Sequence, residues 1–291
     1  MKSKKTPEGN RSDQAEQARW EQAAATWVDD ADDIAFMTQG ATDALISALA
    51  PQTRERFLDL ACGPGDPSLS LARIVGAEGR VLSTDAVTPM VAALQARASA
   101  EGLDWLETLV CPAQELALPP ASFDGASCRF GAMFFADLPA VLARVSSALV
   151  PGGRVVFVVW GEARHNPYFT CSSGILSDLG APVPSGNEQT ATVFELAEPG
   201  DLASRLSAAG FLNVRETAHD FHMVHRDTDS GGFLARQLER SAPLAERFEQ
   251  LSAAAQAQAH LLVAEQMKDY EQDEQLLVPS RCLVVRGETA Q

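Results

Sequence analysis

Between Phe57 and Trp160, short apolar runs alternate with stretches whose apolar residues recur every three or four positions. The runs Phe57–Leu60, Arg80–Thr84, Trp105–Val110, Gly125–Arg129 and Val155–Trp160 predict strands, and Ser68–Val75, Thr88–Ala100 and Leu138–Leu149 predict the helices that join them. Runs that stay apolar throughout suit strands buried on both faces, so this order predicts an α/β fold with a doubly wound, mostly parallel sheet. Upstream, residues 13–50 are rich in Ala, Gln and acids and anchor on Trp20, Trp27, Phe36 and Leu45, which predicts two or three helices. Downstream, His165–Gln189 reads as a loop-rich segment containing Pro167, Pro182 and Pro184, with a helix over its Tyr168–Leu179 part. Leu202–Ala209 predicts a helix ended by Gly210, followed by strands at Asn213–Glu216 and His219–Val224. Residues 232–273 predict two or three helices broken around Pro243, and Leu276–Arg286 a closing strand.

The first strand runs into Asp59-Leu-Ala61-Cys-Gly63-Pro64-Gly65-Asp66-Pro67-Ser68, a glycine turn between strand and helix. Gly63 and Gly65 let backbone approach a ligand without a Cβ, and Asp66-Pro67 reads as an N-cap and first helical residue. A dinucleotide fingerprint needs a third Gly or Ala where Ser68 stands, and places a pyrophosphate over the helix N-terminus, where Asp66 would repel it. A ligand with ammonium, ribose and adenine but no phosphate fits better, which describes S-adenosylmethionine. Asp85 follows the second strand about 20 residues beyond Gly65, the spacing at which a carboxylate accepts ribose hydroxyls.

With these residues in place the chain resembles the class I S-adenosylmethionine-dependent methyltransferases, in particular the small-molecule group that includes the quinone C-methyltransferases. Asp59, Ala61, Gly63, Pro64 and Gly65 match the family's first motif, with Ala61 replacing its first glycine. Asp85 and Ala86 match the second, with Val87 and Met90 expected to cover the adenine. Ala113 and Gln114 match the third, with Pro112 where the family has an Asp. The resemblance implies a seven-stranded Rossmann-like methyltransferase fold whose last strand, containing Leu283–Val285, runs antiparallel. It also implies that Asp59 acts on the methionine ammonium, that Arg129 and Phe130 pass near the methionine moiety, and that Trp27 covers it. The product would be S-adenosylhomocysteine. The domain reading is an N-terminal helical lid over 1–50, a cofactor-binding core over 51–231 and 276–291, and a helical insertion over 232–275 that helps form the acceptor pocket.

Composition narrows the partners. A formal charge of −16 over 291 residues argues against nucleic acid and anionic membranes, because neutralising phosphate needs clustered Lys and Arg. No long uncharged apolar run is present and Met1–Gly9 reads as a solvated tail, so the expectation is a cytoplasmic protein with a small-molecule methyl acceptor; a homodimer is compatible with the sequence. Cys62, Cys111, Cys128, Cys171 and Cys282 lack metal-site spacing and suggest reduced thiols.

Of the histidines, His165 follows the fifth strand at the edge where ligands bind in such sheets, and with Asn166-Pro-Tyr168 it is the candidate general base or substrate contact. The two-residue period of a strand places His219 and His225 on one face and His222 on the other, so they read as surface or packing residues; His260 reads as a surface helix residue. The function expected is in-line methyl transfer to a largely apolar metabolite of natural-product biosynthesis. The alternatives are quinone C-methylation for an electron carrier, or a protein that binds the cofactor without transferring methyl.

Overall fold

Val155, Val156, Phe157, Val158 and Val159 have no solvent exposure, the expected fate of an apolar run covered on both faces of a sheet. The computed structural model describes residues 13–182, 193–226, 228–273 and 275–291; the tail Met1–Gly9 and the loop about Pro184 and Gln189 lie outside the described residues. In chain order the elements are helices α1 (Asp13–Asp29), α2 (Ala31–Met37) and α3 (Gln39–Leu49), then β1 (Arg56–Leu60), α4 (Ser68–Val75), β2 (Arg80–Asp85), α5 (Thr88–Ala100) and β3 (Leu106–Val110). They continue as β4 (Phe123–Arg129), α6 (Leu138–Ala148), β5 (Leu149–Trp160), α7 (Pro167–Asp178), α8 (Asp201–Ala208) and β6 (Leu212–His225). The chain closes with α9 (Phe233–Arg240), α10 (Ala242–Glu249), α11 (Ala253–Met267), the two-residue β7 (Glu271–Gln272) and β8 (Gln275–Glu288).

The strands lie in the order β3-β2-β1-β4-β5-β8-β6, with β7 paired to β8. β1 to β5 are mutually parallel, and β8 inserts antiparallel between β5 and β6. The order reverses between β1 and β4, so their carboxyl ends open the crevice in which open α/β sheets bind ligands. Helix α3 lies across β4, β5, β8 and β6, held by the fully buried Leu45 and Leu49. Truncating one such leucine costs about 2–5 kcal/mol. Helix α1 packs on α5, and α9 to α11 pack on one another and on α7.

Two expectations change. The strands read at Asn213–Glu216 and His219–Val224 are one continuous β6, because Thr217 and Ala218 keep their pairing to Val284 and Leu283 of β8. The ladder supplies the hydrogen bonds that the side-chain pattern did not announce. Helix α4 begins at Ser68 with Pro67 as its cap, and the Asp66 carboxylate accepts from Ser70 Oγ rather than from a backbone amide. The helical span 232–273 does divide into three, at Ser241 and again before Ala253, and Gly210 ends α8 with φ +91°.

Arg154 of β5 joins three layers. Its guanidinium donates to the terminal carbonyls of α3 at Leu49 and Ala50, and pairs with Glu55 just before β1. Its removal leaves helix-end carbonyls without donors, so Arg154→Met is expected to lower stability by about 1–3 kcal/mol. Urea denaturation measures this; an unchanged midpoint would reject the role.

Candidate functional site

The turn after β1 is built on left-handed backbone, with Ala61 at φ +51° and Gly63 at φ +53°. A Cβ added at Gly63 would meet nothing within 4 Å, so the turn presents open space there. At Gly65 the situation differs from the sequence reading: an added Cβ would lie 2.3 Å from Arg97 Nη1. Arg97 crosses this position to donate to Pro64 O at 2.8 Å and to Asp32 of α2 at 2.6 Å, so Gly65 makes room for this side chain. Gly131, after β4, is needed for another close approach, since a Cβ there would sit 2.4 Å from that of Ala61.

Two carboxylates end the central strands. Asp85 accepts from Gly63 N and Val87 N, each at 3.0 Å, which fixes the turn after β1 to the turn after β2. Burial raises its pKa, while these amides pull it back down. Asp59 lies deeper, with no exposure; its oxygens accept from Ser127 Oγ at 2.6 Å and Ser68 Oγ at 2.5 Å. Burial pushes Asp59 up to about 6, against the lowering by the two hydroxyls and Arg129.

Arg129 ends β4 beside this pair. It donates to Thr38 Oγ1 at 2.6 Å, Thr42 Oγ1 at 2.9 Å and Asp66 O at 3.1 Å, which ties the start of α3 to the glycine turn. Its Nε is buried and has no partner among the described residues. Burial lowers its pKa and the nearby Asp66 and Asp59 charges raise it.

Next along the chain, Phe130 has φ +57° and stacks on Trp160 at 3.9 Å with an interplanar angle of 4°. Trp160 meets Phe169 edge-on at 4.9 Å and lies over Phe221 at 6.1 Å, and Phe169 meets Tyr168 at 4.9 Å. An aromatic wall thus runs from the glycine turn toward α7 and the far end of β6. On the opposite flank, Trp27 and Trp20 cross at 5.2 Å and pack with Ala24 against Val87 and Met90. Trp27 therefore sits beside the residues expected against adenine. Gln17 donates to Ala86 O at 3.4 Å, so α1 closes over the turn after β2. Ala113 is buried and Gln114 half-buried on the 3₁₀ turn that follows β3.

The structure thus gathers Asp59, Ala61, Gly63, Pro64, Asp85, Ala86, Met90, Arg129 and Phe130 around one crevice, and it does not bring His165 to it. His165 Nε2 receives Arg164 Nε at 3.1 Å and Arg281 Nη1 at 3.3 Å, so its lone pair is occupied. Arg281 also clasps Asp220, which strand alternation places on the face of β6 opposite Phe221. The buried Asn166 causes this turn: its Nδ2 donates to Gly161 O and Arg281 O, folding the chain after β5 back onto β8. Tyr168, two residues further, does join the aromatic wall. Sequence reading also missed Ser68 and Ser127 under Asp59, Thr38 and Thr42 on Arg129, and Arg97 behind Gly65. Ser68, visible in the sequence only as a break in the dinucleotide pattern, was the one available signal.

Comparison with known proteins bears on the family and the fold. Residues 57–153 match a family model described as a methyltransferase domain. The chain is 32% identical over 187 residues to nocamycin O-methyltransferase of Saccharothrix syringae, covering 62% of this chain and 67% of that protein. It is 32% identical over 183 residues to a ubiquinone/menaquinone biosynthesis C-methyltransferase of Dinoroseobacter shibae, covering 60% and 72%. A 2-phytyl-1,4-naphtoquinone methyltransferase of Synechococcus elongatus matches at 35% over 123 residues, 41% of this chain and half of that protein's length. In fold, the chain superposes on phosphoethanolamine N-methyltransferase 2 of Haemonchus contortus, in complex with S-adenosyl-L-methionine, with a TM-score of 0.58 and 18% identity, over 98% of this chain and 62% of that one. Among the described residues, no helix is long and apolar enough to cross a membrane. Two carboxylates over an open glycine turn, on a sheet closed by an antiparallel strand, are here joined to sequence kinship over most of two known enzymes, and the chain belongs to the S-adenosylmethionine-dependent methyltransferases.

Proposed function

We propose that this protein methylates a small, largely apolar metabolite of natural-product biosynthesis, in a chamber walled by Phe130, Trp160, Phe169, Tyr168 and Phe221. The aromatic wall beside the glycine turn is the observation that carries this reading, since such rings bury flat apolar ligands and exclude water. The residues at the strand ends fit the cofactor. Gly63 leaves the space that a ligand would fill, and Arg129 keeps a buried, unpaired Nε that suits the methionine carboxylate. Asp85 already accepts one amide on each oxygen and retains lone pairs for the ribose hydroxyls. Ala86, Val87, Met90 and Trp27 flank the adenine, with Ala113 and Gln114 at its edge. Asp59 acts on the ammonium from beneath the turn, through Ser68 and Ser127. In this reading the helices of 1–50 form the lid, and 232–275 forms the far side of the acceptor chamber.

When bound, S-adenosylmethionine supplies a methyl group on a sulfonium, open to in-line displacement. The chain's own part is positioning: Asp85 and Gly63 fix the cofactor end and the aromatic rings orient the acceptor. With the His165 nitrogen engaged by two guanidinium groups, the acceptor is of a kind that loses its proton readily, such as an enol or phenol. The likeness to quinone C-methyltransferases supports a second reading, methylation of a quinol ring in the same chamber.

Incubation with methyl-labelled S-adenosylmethionine and a panel of enols, phenols and naphthoquinols tests both readings. Label in an enol or phenol oxygen supports the first and label on a quinol ring carbon the second; cofactor binding with no transfer to any of them points to the non-methylating class. Asp85→Ala is expected to weaken cofactor binding by about 1–3 kcal/mol, roughly 10- to 100-fold in Kd, read by calorimetry. Unchanged affinity would reject the ribose assignment.

Asp59 gives a pH prediction. Its folded pKa of about 6 lies above the ordinary carboxylate value of 3.8, so its contribution to stability is full below pH 3.8 and is lost as pH rises through 6. The shift is worth about 3 kcal/mol at neutral pH. Asp59→Asn should therefore be more stable than the parent at pH 7.5 by up to about 3 kcal/mol, with the gap closing near pH 4, in thermal melts across pH. The same variant should bind S-adenosylmethionine more weakly and lose the tightening with rising pH that the parent shows between pH 5 and 7. A variant with parental affinity at every pH would remove Asp59 from cofactor binding.

A further inference from the structure

His225 ends β6 and is 6% exposed, the most buried of the histidines. Tyr168 of α7 stacks on its ring at 5.4 Å and Phe233 of α9 meets it edge-on at 5.7 Å. Its Nε2 is buried and has no hydrogen-bond partner among the described residues. Leaving a buried nitrogen unpaired is unfavourable, which marks a position completed by something the chain does not supply.

The charges around it are already matched to one another. Arg240 of α9 donates to Asp30 at 2.6 Å, Arg236 pairs with Asp33 of α2 at 3.2 Å, and Arg226 lies over the Phe36 ring at 3.6 Å. Burial raises the Tyr168 phenol pKa, and the Arg240 charge offsets part of that rise. Burial first, and then Arg240 and Arg236, push His225 down to about 4, against Asp33, so the imidazole is neutral at physiological pH. A cleft of about 20 Å³, lined by Asp33, Met37, His225, Arg236 and Arg240 among others, opens beside the ring between α2, β6 and α9, while Nε2 itself is closed to solvent. That is room for about one oxygen. On its other side, Tyr168 continues the wall through Phe169 and Trp160 to Phe130 at the glycine turn.

We propose that His225 is the specificity-determining polar contact at the far end of the acceptor chamber, where its Nε2 hydrogen-bonds a hydroxyl or carbonyl oxygen carried on an aromatic acceptor. The proposal rests on reading the aromatic wall as that chamber. A neutral imidazole suits a neutral oxygen, whereas an acidic group would compete with Asp30 and Asp33 for the arginines. The acceptor so selected is elongated and oxygenated at both ends, with one end at the methyl donor and the other at His225. Buried polar sites of this kind reject analogues that lack the matching group.

The test uses the full chain loaded with S-adenosylhomocysteine and titrated with phenol or with toluene, which lacks the hydroxyl, while the His225 imidazole is followed by ¹⁵N NMR. Phenol is expected to bind on the order of tenfold tighter than toluene and to shift the Nε2 resonance, which toluene leaves in place. His225→Phe should abolish the preference and His225→Gln, which restores a hydrogen-bonding atom, should keep part of it, both with S-adenosylhomocysteine affinity unchanged. Equal affinities, no phenol binding, an unmoved Nε2 resonance, or a preference that survives in His225→Phe would each overturn the proposal and leave the cleft as a water site. If His225→Phe does not fold, the parental resonance and the Gln variant decide. Failure of the parent to bind S-adenosylhomocysteine would instead strike the methyltransferase reading, so the two failures are distinct.

Discussion

Asp85 accepts one amide from each of two turns, Gly63 N from the turn after β1 and Val87 N from its own, and the site depends on this bridge. The backbone ladder carries on to Cys62 N, which donates to Thr84 O, and beyond it the two turns are tied by this carboxylate. A carboxylate that accepts backbone donors in this way still has lone pairs to offer. Because the bridge holds Gly63 in left-handed backbone, the space above it stays open. Asp59 works below the same turn at greater cost, since its charge is buried and is offset by two serine hydroxyls and the Arg129 guanidinium. Such a group lowers the stability of the fold once its charge forms.

Arginines then fasten the N-terminal helices over the crevice. α2 and the residue before it carry Asp30, Asp32 and Asp33, which meet Arg240, Arg97 and Arg236 in turn. Arg97 also reaches Pro64 O, so the helix and the glycine turn share one guanidinium. Arg129 adds the threonines at the start of α3. In a chain of net charge −16, these arginines offset the acidic residues of α2 and the residue before it.

Much of this was legible in the sequence for a local reason. Uninterrupted apolar runs such as Val155–Val159 have few ways to be buried, and glycine between a strand and a helix restricts what can follow. Ala61, Gly63, Asp85 and Phe130 therefore stand at the strand ends and turns where position alone put them. The departures from that local reading share a cause as well. His165 stands at the expected strand end, yet Asn166 turns it toward Arg281, a partner more than a hundred residues away in the chain. Gly65 carries the signature of a ligand-facing glycine, but Arg97 from α5 fills the space. The break read between Glu216 and His219 disappears because β8 pairs straight through it.

The sequence by itself determined the order of strands and helices, the glycine turn and the two acidic strand ends, because these follow from local periodicity and backbone permission. The tertiary structure decided which polar atoms are satisfied and which are left waiting. Ser68 and Ser127 meet at Asp59, Tyr168 and Phe233 meet each other and His225, and the aromatic wall forms only where β5, α7 and β6 converge. Hydrogen bonding and burial are properties of neighbours in space, and the spacing of these residues along the chain carries no trace of them.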